Sequence, residues 1–151
     1  MSLHFSDAEM IRSQSALRLG LPNEPHPWQW ANLNRLRDTL LEPVRELLGV
    51  PLAVNSGFRS AAVNAHVGGH RNSAHLYGRA ADLSPIGMSV TEAIGRIAAV
   101  VDTLPIDQAI EECGPSGWLH LSIPADGAEP RRELLTATGS PGAWVYRPWP
   151  G

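Results

Sequence analysis

The longest helical periodicity lies at residues 28–48. Its apolar side chains recur every three or four positions and form one stripe, which consists of Trp30, Leu33, Leu36, Leu40, Val44, Leu47 and Leu48. This pattern predicts a helix that Pro43 kinks or interrupts, because proline cannot donate the helical hydrogen bond. The charged residues of this stretch, Arg37 among them, are predicted to face solvent, and Gly49 to end the helix.

Helical signals predict three further segments, at residues 5–11, 61–66 and 90–104. Ser6 and Glu9 form a capping box at the first of them, and Ser89 is a candidate N-cap for the last. Residues 17–27, between the predicted helices at 5–11 and 28–48, contain three prolines and are predicted to be an irregular loop.

Extended patterns predict four strands, at residues 52–56, 80–83, 106–112 and 118–123. Turn-forming residues at 113–117 indicate a hairpin between the last two. In the final strand Trp118, His120 and Ser122 share one face, and apolar residues occupy the other, which is the predicted core face. The tail, residues 131–151, is predicted to be irregular, with 138–151 as a C-terminal arm.

Composition limits the class of protein. A chain of 151 residues with 43% hydrophobic residues predicts a single domain, 1–151. The net charge of −3 argues against nucleic acid or an anionic membrane surface as a partner, and no apolar run is long enough to span a membrane. Residues 1–10 lack the features of a signal peptide. The single cysteine, Cys113, excludes an internal disulfide and a multi-cysteine zinc site.

The chemistry of the chain concentrates in residues 73–82, which read S-x-H-x-x-G-x-A-x-D. His75 and Asp82 are both suitable zinc ligands, and Gly78 between them permits a tight turn with positive φ. Two ligands do not make a zinc site, and the alternative is a loop histidine beside a turn aspartate. His120, on the polar face of its strand, is the candidate third ligand.

A candidate general base lies on the other strand of the hairpin. If the hairpin is centred near Ser116, Glu112 lies directly opposite His120 and on the same face, whereas Glu111 points to the other face. Three protein ligands, an open position for water and a nearby glutamate are typical of a zinc hydrolase. The alternative for Glu112 is a solvated hairpin residue.

The ten-residue motif followed by the W-x-H strand resembles the zinc D-alanyl-D-alanine carboxypeptidase family, within the wider group that includes lysostaphin and the hedgehog signalling domain. The chain is most similar to the phage and prophage branch of peptidoglycan peptidases. Runs like S-G-F-R-S at 56–60, V-G-G at 67–69 and D-Q at 107–108 recur there in this order. The resemblance spans residues 5–137.

The resemblance implies one Zn²⁺ per chain, with His75, Asp82 and His120 as ligands. It makes Arg59 the substrate-side arginine, which binds a carboxylate or polarises the scissile carbonyl, and it places Ser73 near the substrate. Trp118 is a candidate wall of the cleft. Many relatives have their base two or three residues before the last histidine. Those positions here are tryptophan and glycine, so Glu112 is the candidate base.

The implied fold is α+β, a small, mostly antiparallel sheet that holds the zinc ligands and is backed by two longer helices. The implied activity is hydrolysis of peptidoglycan stem peptides or cross-bridges by a monomer, as in a D-Ala-D-Ala carboxypeptidase or an endolysin. Such an enzyme would be made in the bacterial cytoplasm and act on the cell wall after release. Two alternatives remain, a non-catalytic zinc-scaffold module that binds the wall or a phage tail, and a cytoplasmic dipeptidase.

Overall fold

The computed structural model describes residues 2–140 and 142–150, so the predicted domain limits at 1 and 151 and two residues of the predicted arm, 141 and 151, lie outside the described residues. The helices are α1 Asp7–Ile11, α2 Gln14–Leu19, α3 Pro27–Leu36, α4 Glu42–Leu48, α5 Ala61–His66 and α6 Val90–Ala98, with a π-helix at Arg37–Leu41 and 3₁₀ helices at Ala74–Tyr77 and Val101–Thr103. The strands are β1 Leu52–Ser56, β2 Ala80–Pro85, β3 Gln108–Glu112, β4 Trp118–Ser122, β5 Glu133–Thr138 and β6 Val145–Pro148.

The six strands form one sheet in the order β1-β2-β4-β3-β5-β6. Every neighbouring pair is antiparallel except β3 and β5, which run parallel. The predicted α+β class with a mostly antiparallel sheet is confirmed, and the sheet is mixed rather than purely antiparallel.

The hydrophobic core lies between the helices and one face of the sheet. Leu36, Leu40 and Val44 of the long helix and Ile94 of α6 are fully buried in the same cluster as Leu119 and Leu121 of β4. Because successive side chains of a strand point to opposite faces, the residues between these leucines project away from the core. The helices therefore cover one face of the sheet and leave its other face free for polar chemistry.

The predicted helix at 28–48 is confirmed, with its interruption in the form of a π-helix. The chain is helical from Pro27 to Leu48, and the segment Arg37–Leu41, which ends two residues before Pro43, has the wider π geometry. The prediction that Arg37 faces solvent is wrong. Its side chain is only 8% exposed and donates to the Phe5 carbonyl oxygen at 3.0 Å and to Asp7 at 2.6 Å, because the N-terminal segment packs over it.

The other helical predictions are mostly confirmed. The capping box of Ser6 and Glu9 is present at α1, and Ser89 caps α6, which ends at Ala98 and is followed by a 3₁₀ turn. The loop predicted at 17–27 is wrong at its start, since α2 extends through Leu19. Ser13 caps that helix, and this cap had not been recognised.

The C-terminal tail corrects the prediction of an irregular segment. β5 pairs along the whole of β3, from Gln108 opposite Glu133 to Glu112 opposite Ala137, and β6 pairs with β5. The part of the predicted arm that the structure describes thus includes a strand at Val145–Pro148. Hydrogen bonds to a distant strand, which local composition does not encode, determine this outcome.

The helices of the described residues are all too short or too polar to cross a lipid bilayer.

Candidate metal centre

Local turn chemistry positions the first histidine. Ser73 begins the 3₁₀ helix Ala74–Tyr77, and its hydroxyl accepts a hydrogen bond from the backbone N–H of His75 at 3.2 Å. Gly78 ends that helix with φ of +73°. A Cβ at Gly78 would lie 2.6 Å from the Gln29 carbonyl oxygen, so only glycine fits both the turn and the close approach to α3.

Strand pairing positions the other two candidate ligands. Asp82 of β2 and His120 of β4 lie directly opposite each other, and His120 Nδ1 is 2.9 Å from Asp82 Oδ1. His75 Nε2 lies 3.3 Å from the same carboxylate oxygen. The candidate donor atoms of His75, Asp82 and His120 all lie within 4.8 Å of one another. The structure thus brings together the three side chains that the sequence predicted as ligands.

The surroundings of His75 fit a bound cation. Its Nδ1 lies 2.7 Å from the Gly57 carbonyl oxygen, and since a carbonyl oxygen can only accept, Nδ1 holds the proton. Nε2 therefore presents its lone pair towards Asp82, and it is buried without a hydrogen-bond partner. Burial lowers the pKa of His75, which favours the neutral form that a metal requires. Two imidazole nitrogens and a carboxylate oxygen are a donor set that suits zinc.

Asp82 and His120 are electrostatically coupled. Burial acts to raise the pKa of Asp82, but its electrostatic interaction with the His75 imidazole and the hydrogen bond from His120 outweigh it and hold this pKa well below its usual range. Burial acts to lower the pKa of His120, but the hydrogen bond to Asp82 and the carboxylate charge raise it. Asp82 is thus a carboxylate anion at neutral pH, as a metal ligand must be.

Arg59 lies beside this group, and its guanidinium is already partly engaged. Nε donates to the Ser56 hydroxyl at 3.2 Å, Nη1 to the Asn64 amide oxygen at 3.0 Å and Nη2 to Asp82 Oδ2 at 3.4 Å. The backbone N–H of Arg59 donates to the His75 carbonyl oxygen at 3.2 Å. Arg59 therefore supports two of the candidate ligands, and two of its five N–H donors remain available.

Glu112 reaches the centre, although the predicted register is wrong. Glu112 pairs with Trp118 and His120 pairs with Ile110, so the hairpin is centred on Pro115 instead of Ser116. A shift of two residues preserves the face of the strand, and Glu112 Oε1 lies 3.9 Å from His120 Nδ1. Burial and the Asp82 charge raise the pKa of Glu112 to about 7.

Glu111 points to the opposite face of the sheet, as predicted from the alternation along the strand. It is buried there and accepts a hydrogen bond from the Thr91 hydroxyl on α6. The two neighbouring glutamates therefore occupy different environments, and of the two Glu112 alone lines the cleft.

The centre lies in a cleft of ≈ 780 Å³ that Ser73 and Trp118 also line. Trp118 meets Trp144 of the tail edge to face, with ring centroids 6.1 Å apart, and Tyr146 of β6 lines the same cleft. The sequence interpretation missed both tail aromatics because it treated the tail as irregular. The alternation of Trp144 and Tyr146 was the available signal, since it places both side chains on one face of an extended segment.

Comparisons with known proteins identify relatives of this chain. A family model described as Peptidase M15 matches residues 3–121. A zinc D-Ala-D-Ala carboxypeptidase of Streptomyces albus G is 52% identical over 44 residues, which make up 28% of this chain. The match spans only 17% of the length of that relative.

Proposed function

This chain belongs to the peptidase M15 family, and on that premise we propose that it is a zinc peptidase that hydrolyses peptide bonds in peptidoglycan stem peptides or cross-bridges. The observation that supports this most directly is the group of His75, Asp82 and His120, with Glu112 beside it in an open cleft. The cleft falls within the size range of small-ligand sites and is open enough to admit a short peptide. The printed name of the Streptomyces albus G relative supports D-Ala-D-Ala termini as one class of substrate.

Each side chain of the centre has a proposed role. His75, Asp82 and His120 hold one zinc ion, which when bound is a Lewis acid that activates water and polarises the scissile carbonyl. Gly57 keeps His75 in the tautomer that exposes its Nε2 lone pair. Arg59 and His120 fix the orientation of the Asp82 carboxylate through its two oxygens.

Glu112 is the proposed general base. Its side chain is 12% exposed and lies on the face of the sheet that holds His120. A carboxylate placed there can accept the proton of the attacking water and then deliver it to the leaving amine nitrogen. A raised pKa suits both steps, because the group must accept and release the same proton near neutral pH.

Arg59 is proposed to contact the substrate as well as Asp82. Its two remaining N–H donors can stabilise the negative charge that develops on the scissile carbonyl oxygen. Ser73 and Trp118 are proposed to contact the peptide on either side.

Arg59→Lys is expected to lower kcat with a smaller effect on KM. Lysine keeps the positive charge but cannot donate simultaneously to Ser56, Asn64 and Asp82, so the orientation of Asp82 and the transition-state contact are both impaired. Steady-state kinetics on a stem-peptide substrate, with zinc content measured in parallel, would test this role. Parental kcat and KM in the lysine variant would show that Arg59 is only a structural residue.

The wider proposal concerns the setting of the enzyme. The hydrophobic core is one continuous cluster of helix and strand residues, which supports a single peptidase domain. The negative net charge supports peptide over nucleic acid or an anionic membrane surface as the binding partner. We further propose a monomer made in the bacterial cytoplasm that reaches the wall after release, as the resemblance to phage and prophage enzymes suggests.

Purified cell-wall sacculi provide the test of the proposed function. The zinc-loaded protein is expected to release new amino groups from sacculi, to lose this activity with a chelator and to regain it when zinc is restored. Mass spectrometry of the fragments would identify the bond that is cleaved. Binding to sacculi without amine release would reject hydrolysis and identify a zinc-scaffold binding module, and cleavage of free dipeptide alone would identify a dipeptidase.

A further inference from the structure

A second arginine in the cleft differs from its neighbours. Arg79 follows Gly78 and lines the same cleft as the metal centre. The other two arginines that line the cleft are engaged with carboxylates, Arg59 with Asp82 and Arg131 with Asp107. Within residues 2–140 and 142–150 the Arg79 guanidinium forms no hydrogen bond or ion pair, and its Nε is buried without a partner.

Arg79 is nevertheless held in place. Its guanidinium carbon lies 4.8 Å from the centroid of the Tyr77 ring, in a cation–π contact, and that ring in turn packs on Trp28. The backbone is fixed on both sides, because the Arg79 N–H donates to the Ala74 carbonyl oxygen at 3.0 Å and the Ile123 N–H donates to the Arg79 carbonyl oxygen at 2.9 Å. A guanidinium that is positioned in advance loses less entropy when it binds a ligand.

The charge balance indicates the kind of ligand. A half-buried cation without a counter-ion is energetically unfavourable, and its partner is then expected to be an anion that arrives from outside the chain. Asp107 lines the same cleft and is close enough for the Arg79 charge to help lower its pKa, but it forms no hydrogen bond or ion pair with Arg79, and Arg131 binds both of its oxygens at 3.0 and 2.8 Å. The planar fork of a guanidinium matches a carboxylate, which is a group that peptides contain.

We propose that Arg79 is a specificity-determining residue that binds a carboxylate group of the peptide substrate. The proposal rests on the peptidase function proposed above. Arg59, and not Arg79, donates to the candidate ligand Asp82. The carboxylate that Arg79 binds is therefore proposed to belong to a part of the peptide that is distinct from the scissile carbonyl.

Two carboxylates of a stem peptide have the required chemistry, the C-terminal carboxylate and an acidic side chain. The test uses a synthetic pentapeptide with one acidic side chain and two analogues of it, one amidated at the C-terminus and one at the side chain. Dissociation constants are measured by calorimetry with the zinc-loaded Glu112→Gln protein, which does not consume the ligand. Hydrolysis rates are measured with the parental Glu112.

The expected result is a loss of about tenfold or more in affinity when one of the two carboxylates is amidated, as for the loss of a charged hydrogen bond. Arg79→Gln should bind the acid and the amide equally weakly, and Arg79→Lys should retain part of the preference because it retains the charge. Arg96→Gln is the matched control. Its side chain is exposed on α6, outside the residues that line the cleft, and its variant should show the parental preference.

The outcomes are distinct. An Arg79→Gln variant that keeps the parental preference for the acid peptide over its amidated analogue overturns the proposal. The proposal is also overturned if the parental protein binds both amidated analogues as tightly as the acid peptide. Melting curves establish that Arg79→Gln is folded, and Arg79→Lys provides the comparison if it is not. Arg79-dependent binding without hydrolysis would reject the peptidase function and retain the carboxylate site. Hydrolysis without a preference that depends on Arg79 would retain the peptidase function and reject the carboxylate site.

Discussion

Replacement of His75 by alanine is expected to remove both the zinc and the peptidase activity. The imidazole supplies one of three candidate donors, and its Nε2 is buried with no other hydrogen-bond partner. Without it, Asp82 and His120 are left, and these two already bond to each other. The zinc content measured by elemental analysis after dialysis should fall from about one zinc per chain towards zero, because a catalytic zinc needs three protein ligands.

The control for this experiment is His66→Ala. His66 is an exposed residue of α5 and lies outside the metal group, so its replacement should leave zinc content and activity unchanged. His120→Ala should behave like His75→Ala. Full zinc occupancy in either ligand variant would refute the ligand assignment, and a melting curve distinguishes loss of metal from loss of fold.

Glu112→Gln is expected to lower kcat by about 10²–10⁴-fold while the zinc content and the fold are preserved, because the amide keeps the shape of the side chain and cannot accept a proton. Glu112 Oε1 lies 3.9 Å from His120 Nδ1 and Glu112 is not one of the three candidate ligands, so its replacement should leave the ligand set intact. The measurement is single-turnover hydrolysis of a stem peptide, with zinc determined on the same sample.

Glu111→Gln is the matched control for this variant. The neighbouring glutamate faces the opposite side of the sheet, and a glutamine there can still accept the hydrogen bond from Thr91. Its rate should stay close to that of the parent. A Glu112→Gln rate within about tenfold of the parent would mean that another group transfers the proton.

The ligand motif could be found in the sequence because it is local. His75 and Asp82 lie on one short stretch, and Ser73 and Gly78 set the turns between them through hydrogen bonding and positive φ. The third candidate ligand, His120, followed from the alternation of polar and apolar residues along β4. Its partnership with Asp82 depends on the pairing of β2 with β4, which the sequence alone did not specify.

The hairpin shows how an error of register can leave a functional assignment intact. Cys113 and Gly114 both have positive φ, and the turn 113–117 that they begin is centred on Pro115. The pairing moved by two residues, which is the period of a strand, and Glu112 therefore stayed on the metal face. A shift of one residue would have placed Glu111 there instead.

The features that could not be predicted all depend on distant segments. Arg37 is buried because the N-terminal residues pack over it, and residues 133–138 form strand β5 because they pair with β3. The isolation of Arg79 is likewise a property of its surroundings, since the other cleft arginines have acidic partners and it has none among the described residues. No periodicity in the sequence distinguishes Arg79 from the other two cleft arginines, Arg59 and Arg131.

The tail strands also have a consequence for the handling of the protein. The family match ends at residue 121, but a fragment trimmed to that limit would lack β5 and leave one side of β3 as an unpaired edge. Such an edge invites pairing with other chains and aggregation. With all 151 residues present, the strand at this edge of the sheet is β6, which is only four residues long and contains Arg147 and Pro148, two features that protect edges. Expression of the enzyme in a soluble form should therefore require residues up to the end of β6.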